Sequence, residues 1–355
     1  MKTVFSPRHS DHWLRYEYSG GQAKPCFEKP DRVEFVKREI LNRRLGSILL
    51  AEEFSLDHLC AVHDESYIRF LQECWAQWVK EMNPELDAIA TVFNRQSFAD
   101  HIEPRSIEAR LGKYSADLTA GLGPKSWYAI EASAHVALSG AKQLLGGEKA
   151  MFSLCRPAGH HASAALMAGY CYVNNAAVAA QYCLDQGCDR VAILDIDYHH
   201  GNGTQSIFYE RSEVFVASIH ADPDQEYPFY AGRADECGAL KGLGANLNIP
   251  LSLGTTAWPE YQTALQQSMD AIASYKPDVL IVSLGVDTYE EDPISHFRLS
   301  SDDFTKIGKQ LAALDLPSLF VFEGGYAVGA IGVNTVNVLE AYSEAVMQNP
   351  SVVSL

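Results

Sequence analysis

The pattern of apolar and polar positions divides the chain into an irregular first part and a regular second part. From Ala150 onward, compact apolar runs alternate with longer amphipathic ones: a strand over 150–155, a helix over 173–186, a strand over 190–196, a short helix over 204–209 and a strand over 214–219. A loop rich in Gly, Asp and Pro then runs to about Gly244. The alternation resumes with a helix over 259–275, a strand over 279–284, a helix over 301–314, a strand over 318–322 and a helix over 331–348. Uninterrupted apolar strands are buried on both faces, and strand–helix alternation predicts a central, mostly parallel sheet flanked by helices on both faces, an α/β fold. No internal repeat is present.

The first part reads less regularly. Met1–Ser6 is strand-like, and 10–29 is a long loop rich in Gly, Tyr, His and Pro. Asp31–Arg44 has helical spacing through Val33, Val36 and Ile40, with an acidic start and a basic end. Residues 65–80 predict a helix with an aromatic stripe of Tyr67, Phe70, Trp75 and Trp78, and 127–145 an Ala-rich helix closed by Gly146–Gly147. Between them, 81–125 is broken by Pro84, Pro104, Pro124, Gly112, Gly121 and Gly123. A connection of that length suggests a lid or a dimer arm, in which Glu108 and Asp117 are the acidic groups to watch.

A length of 355 residues exceeds the usual domain, but no Pro/Ser-rich linker divides the chain, so a single domain over 1–355 with the 81–125 insertion is expected. The amino terminus lacks the apolar stretch of a signal peptide and no run is long enough to span a bilayer, so a cytoplasmic protein with no membrane partner is expected. The net charge of -17 argues against a nucleic-acid partner and suits a cationic substrate. The eight cysteines lack paired CxxC spacing; they are expected to be reduced and mainly buried, and none is assigned to a metal.

Candidate chemistry gathers at the ends of the predicted strands, where open α/β sheets place their ligands. Behind the strand ending at Ile196, Asp195, Asp197 and His199 alternate with apolar or aromatic residues and would face one side if the extended geometry persisted. Packed carboxylates repel unless a cation lies between them. Behind Phe152 comes Arg156-Pro-Ala-Gly-His-His161, whose imidazoles could take a proton from an activated water. Behind Leu280 comes Asp287, which with Asp197 and His199 would supply three ligands and leave a position open. Behind Leu319 comes Glu323-Gly-Gly-Tyr326, a tight turn that could aim a hydroxyl at a developing oxyanion. Each feature has an ordinary alternative, a helix cap, a surface histidine pair or a packed aromatic. Their arrival at four strand ends together points to one site.

Taken with Gly169-Tyr-Cys-Tyr-Val-Asn-Asn175 and Gly285-Val-Asp-Thr288, these segments resemble the histone deacetylase superfamily, and within it the bacterial acetylpolyamine amidohydrolases. The resemblance implies an arginase/deacetylase-like fold and Zn²⁺ held by Asp197, His199 and Asp287. It implies His161 as general base and later acid, His160 as its electrostatic partner near Asp195, and Tyr326 as the donor that polarises the amide carbonyl. Gly169 would orient the substrate N–H through its carbonyl, and Tyr170 and Tyr227 would line a narrow tunnel. A structural potassium ion is implied on Asp195, Asp197, His199, Ser218 and the carbonyl of Ile219. Asn202 stands where some relatives carry Asp behind the second histidine. The arginase branch needs further carboxylates for a second metal, and this chain has Gly201 and Tyr289 there. In the resembling enzymes the 81–125 segment builds a homodimer that narrows the entrance. Glu108 matches an acidic position of it, whereas Thr119 replaces the next one and Asp117 lies two residues earlier. The expectation is deacetylation of small cationic acetylated polyamines such as acetylputrescine and acetylcadaverine. The alternatives are a lysine deacetylase acting on peptides or proteins, and a silent binding member.

Overall fold

The computed structural model describes residues 1–94 and 101–348, so residues 95–100 of the 81–125 insertion lie outside the described residues. Ten strands and ten α-helices are assigned among the described residues. The strands are β1 (Lys2–Phe5), β2 (Glu17–Ser19), β3 (Gln22–Lys24), β4 (Ile48–Leu50), β5 (Ala150–Ser153), β6 (Val191–Asp195), β7 (Val214–Ala221), β8 (Asn246–Leu251), β9 (Val279–Leu284) and β10 (Ser318–Phe322). The helices are α1 (Asp31–Arg43), α2 (Asp57–Cys60), α3 (Glu65–Glu81), α4 (Ile107–Tyr114), α5 (Ser126–Leu145), α6 (Asn175–Asp185), α7 (Asn202–Phe208), α8 (Trp258–Tyr275), α9 (Ser301–Ala312) and α10 (Ile331–Gln348).

Eight strands form one sheet in the order β4-β1-β5-β10-β9-β6-β7-β8, and each pairing is parallel. Residues alternate between its faces as the pleat requires. Met151, Ile193, Ile281 and Leu319 pack into a core with α3, α5 and α6, while Phe152, Leu194, Val282 and Phe320 pack into a second core with α1, α8, α9 and α10. Every residue of β6, β7, β9 and β10 is buried, which is why these strands read as unbroken apolar runs. β5, β10, β9 and β6 are consecutive in the sheet, so the four loops behind them emerge side by side at one rim.

The departures from the sequence reading lie in the polar and peripheral parts. Residues 10–29 are more than a loop, since they carry the antiparallel hairpin β2–β3 and the end of a 3-10 turn over Pro7–Asp11. Each residue of β3 is exposed, so the hairpin offers no apolar alternation to read. The 81–125 segment holds α4, which buries Ile107, Leu111 and Tyr114 and runs through Gly112, where a Cβ would meet the Val92 carbonyl oxygen at 1.7 Å. β4 and β8 close the two edges of the sheet, and β8 carries Pro250, a residue that edge strands tolerate. Among the described residues no helix is long and apolar enough to cross a membrane.

Candidate active site

Strand β6 stops at Asp195, earlier than a continued strand through His199 would require. The i, i+2 spacing is kept by another device. Asp195 Oδ1 accepts the Asp197 N–H at 3.1 Å, and Asp197 Oδ1 accepts the His199 N–H at 3.0 Å, so each carboxylate braces the turn that presents the next residue. The loop after β9 delivers Asp287, whose Oδ1 accepts the Tyr198 N–H at 2.9 Å. His199 Nδ1 lies 3.1 Å from Asp287 Oδ2 and 3.4 Å from Asp197 Oδ1. One donor atom from each of Asp197, His199 and Asp287 falls within 4.8 Å of the others, and all three residues are buried.

The backbone around them leaves no room for side chains. A Cβ on Gly285 would meet Asp197 Oδ2 at 2.1 Å, and one on Gly324 would meet Asp197 Oδ2 at 2.4 Å and Asp287 Oδ2 at 2.5 Å. Gly324 also donates its N–H to Asp197 Oδ2 at 2.7 Å. Burial and the neighbouring charge of Asp197 push Asp287 up to about 7. Burial would raise Asp197 as well, but the charge of His160 and the bonds from His199 hold it below the usual carboxylate range. Two dehydrated carboxylates and an imidazole on one side, with an open cavity on the other, fit a divalent cation with a free coordination position.

His160 and His161 follow β5, with ring centroids 4.0 Å apart. His160 Nδ1 lies 3.0 Å from Asp195 Oδ2; burial would lower its pKa, but Asp197 and Asp195 raise it to about 10. His161 Nδ1 lies 2.7 Å from Asn202 Oδ1, while burial and the charges of His160 and His199 hold it well below the usual histidine range. With Nδ1–H donating to the amide oxygen, Nε2 keeps its lone pair. Glu323 Oε2 steadies this loop by accepting the N–H of Gly159 at 2.7 Å and of His160 at 3.2 Å.

Tyr326 is held from two sides. Asp292 Oδ2 accepts its N–H at 2.7 Å and the Ala327 N–H at 3.1 Å. Arg32 donates Nε–H to the Gly325 carbonyl at 2.7 Å and an Nη2 hydrogen to the Glu323 carbonyl, and its Cζ lies 4.8 Å from the Tyr326 ring centroid. Burial keeps the Tyr326 phenol well above its ordinary pKa, so it remains a hydrogen donor.

A cavity of about 380 Å³ leads from His161, His199 and Tyr326 to the surface between Gly169, Tyr170, Tyr227, Phe27, Pro293 and Ile294, with the carboxylates of Glu17 and Glu226 and the ammonium of Lys24 in its wall. A second cavity, of about 590 Å³, reaches the other side of His161 and Asn202. It touches no residue of the triad, so the first cavity is the approach to the chemistry.

Comparison with known proteins agrees with this architecture. The histone deacetylase domain model matches residues 26–342. The chain belongs to the histone deacetylase family. The acetylpolyamine amidohydrolase 2 of Pseudomonas aeruginosa is 48% identical over 343 residues, covering 96% of this chain and 98% of its own length. The acetylpolyamine amidohydrolase of Mycoplana ramosa is 42% identical over 342 residues, covering 96% and 99%. The crystal structure of acetylpolyamine aminohydrolase from Burkholderia pseudomallei superimposes with a TM-score of 0.92 at 34% identity, covering 97% of this chain and 99% of that one.

Within this deacetylase-family fold, most of the residues singled out in the sequence meet at one rim. Asp197, His199, Asp287, His160, His161, Tyr326, Gly169, Tyr170 and Tyr227 surround the cavity or its floor. Asp195 and Ser218 are register partners on adjacent strands and are buried with Ile219, although Ser218 Oγ is already paired with His220 Nδ1 at 2.8 Å. Glu108 is exposed on α4, where it accepts from Thr91 Oγ1 at 3.1 Å, and it does not line the cavity of its own chain. Asp117 stands behind the wall and Thr119 in it. Sequence reasoning missed Arg32, Asp292, Glu17 and Glu226. The first two work on backbone groups far away along the chain, which no local motif announces. Glu17 sits in the unread hairpin, and Glu226 directly precedes Tyr227.

Proposed function

We propose that the protein is a metal-dependent deacetylase that hydrolyses small cationic acetylated amines, such as acetylputrescine and acetylcadaverine, to the free amine and acetate. The carrying observation is the cavity itself, an aromatic passage with Glu17, Glu226 and Lys24 in its wall, ending on a buried Asp-His-Asp triad beside the paired histidines. The names of the relatives in Pseudomonas aeruginosa and Mycoplana ramosa support the same substrate class.

Asp197, His199 and Asp287 would hold the cation, taken as Zn²⁺, although two carboxylates and one imidazole also suit Fe²⁺ or Co²⁺. When bound, such an ion supplies Lewis-acid polarisation of the amide carbonyl and makes water a better nucleophile. The protein does the rest. His161 Nε2 removes the proton from the attacking water and then delivers it to the departing nitrogen, so that the C–N bond breaks as the carbonyl reforms. His160, kept cationic by Asp195 and Asp197, stabilises the negative charge that accumulates. The Tyr326 hydroxyl donates to the oxyanion, and the Gly169 carbonyl accepts the substrate N–H. Tyr170 and Tyr227 attract an alkylammonium chain through their ring faces. The oxygen-rich set of Asp195, Asp197, His199, Ser218 and Ile219 is proposed as a structural potassium site.

The chain acts in this reading as one catalytic domain in the cytoplasm. Its 81–125 insertion pairs two copies, and Glu108 faces the neighbouring entrance. Acetate release from N-acetylputrescine and from an acetyl-lysine peptide, measured on metal-loaded protein, tests the assignment. A higher kcat/KM for the diamine supports it, and preference for the peptide rejects it in favour of lysine deacetylation.

A further inference from the structure

The two tyrosines of the passage do not offer free hydroxyls to a substrate. Tyr170 Oη donates to Glu17 at 2.8 Å, and Tyr227 Oη donates to Asp117 at 2.6 Å. Both acceptors come from outside the sheet, Glu17 from β2 and Asp117 from the insertion just after α4. Each aromatic wall is therefore tied to a peripheral segment.

Asp117 carries more than one tie. Its Oδ2 also accepts the Gly169 N–H at 3.2 Å, and its Oδ1 accepts the Thr119 N–H at 2.8 Å and the Thr119 hydroxyl at 2.6 Å. A carboxylate has about four lone-pair positions. Four protein donors occupy them, so this carboxylate has none left for a substrate ammonium.

What Asp117 holds lies directly against the catalytic machinery. Gly169 has a left-handed backbone at φ 51°, and a Cβ there would meet His161 Cδ2 at 2.3 Å and Tyr227 Oη at 3.0 Å. The Tyr227 ring centroid lies 5.0 Å from that of His161 and 6.1 Å from that of His199. A displacement of either wall thus changes the space beside the proton-transferring imidazole and a ligand of the metal triad.

We infer that Asp117 is a positioning residue that fixes the gauge of the passage, clamping Gly169 and Tyr227 so that a slender acetylated amine is held and a bulkier one is turned away. The insertion then selects substrate within its own subunit. This rests on the deacetylase reading above.

The test compares Asp117→Asn, Tyr227→Phe and the double variant on N-acetylputrescine and on an acetyl-lysine peptide, with metal content measured in each. Tyr227→Phe removes one oxygen and keeps the ring, so it carries the comparison if Asp117→Asn folds poorly. Each single variant should raise KM for N-acetylputrescine about tenfold, the scale of one lost bond to a charged acceptor. It should leave kcat within about threefold and metal content unchanged. The preference for the diamine over the peptide should shrink, and the double variant should be no worse than the worse single one. Equal losses on both substrates, or effects that multiply in the double variant, overturn the inference. Amide exchange at Gly169 reads the clamp without turnover: faster exchange in Asp117→Asn supports it, and unchanged exchange contradicts it. A parent protein that hydrolyses neither substrate would instead count against the proposed activity.

Discussion

His160 and His161 are adjacent in sequence and share one loop, and their pKa values are still pushed in opposite directions. Burial lowers both, but the charges of Asp197 and then Asp195, which also bonds Nδ1, outweigh it for His160, whereas the Nδ1 of His161 meets a neutral amide. The charged neighbour then lowers the other further. Tyr326 completes this division of labour as a donor that burial keeps protonated. Tyr326→Phe should cut turnover by about two to three orders of magnitude, the size of losing an oxyanion donor, and leave metal content intact. Near-normal turnover in that variant would remove the hydroxyl from the chemistry. His199 supports a second prediction. Burial would lower its pKa, but bonds with Asp197 and Asp287 raise it to about 10, so at neutral pH a cation must displace a proton to bind. Metal affinity, measured by chelator competition, should therefore rise with pH from about 6 to about 8, on the acid side of the raised imidazole pKa; affinity independent of pH would contradict this. These residues were legible in the sequence because each follows an apolar run that marks a strand end. Arg32 and Asp292 were not, since their partners are main-chain groups of the Tyr326 loop that only the folded chain brings near.

The elements around the site are joined by a buried charge cluster. Glu28, just before α1, accepts from Arg156 Nε at 2.7 Å through Oε1, from Arg156 Nη2 at 2.7 Å through Oε2, and from Arg32 Nη1 at 2.9 Å. Arg156 also donates to the His9 carbonyl, so the amino-terminal segment, α1 and the loop behind β5 meet on one carboxylate. Removing one partner from such a cluster leaves charge stranded in the interior. Glu28→Gln should lower unfolding free energy by about 3–5 kcal/mol in denaturant titration. A loss under roughly 1 kcal/mol would show that the cluster contributes little. Burial would raise the Glu28 pKa, but Arg156 and Arg32 hold it below the usual value. Its contribution is therefore complete above the unfolded carboxyl pKa of about 4.3 and is lost as pH falls through the lower folded value. The sequence showed the sheet well where both faces are buried, as in β9 and β10. It did not show β2, β3 or α4, whose short, polar or glycine-containing segments gain their form from contacts made elsewhere.

At the scale of the whole molecule, the chain carries a net charge of -17, and its passage holds Glu17 and Glu226 against one cation, Lys24. Long-range attraction of this kind acts on encounter and is screened within about 10 Å at 0.1 M salt. The kcat/KM for a cationic acetylated amine should fall as ionic strength rises, whereas a neutral acetamide of similar size should be little affected. Equal salt dependence for both would argue against steering. The parallel sheet, the four adjacent loops and the aromatic walls converge on the place where one divalent ion would sit. The most direct test is titration of metal-free protein with Zn²⁺ while acetate release from N-acetylputrescine is followed. Activity should climb in proportion to added metal and level off at one ion per chain, and Asp287→Asn should flatten the climb. Full activity without metal, or a requirement for two ions per chain, would contradict the account.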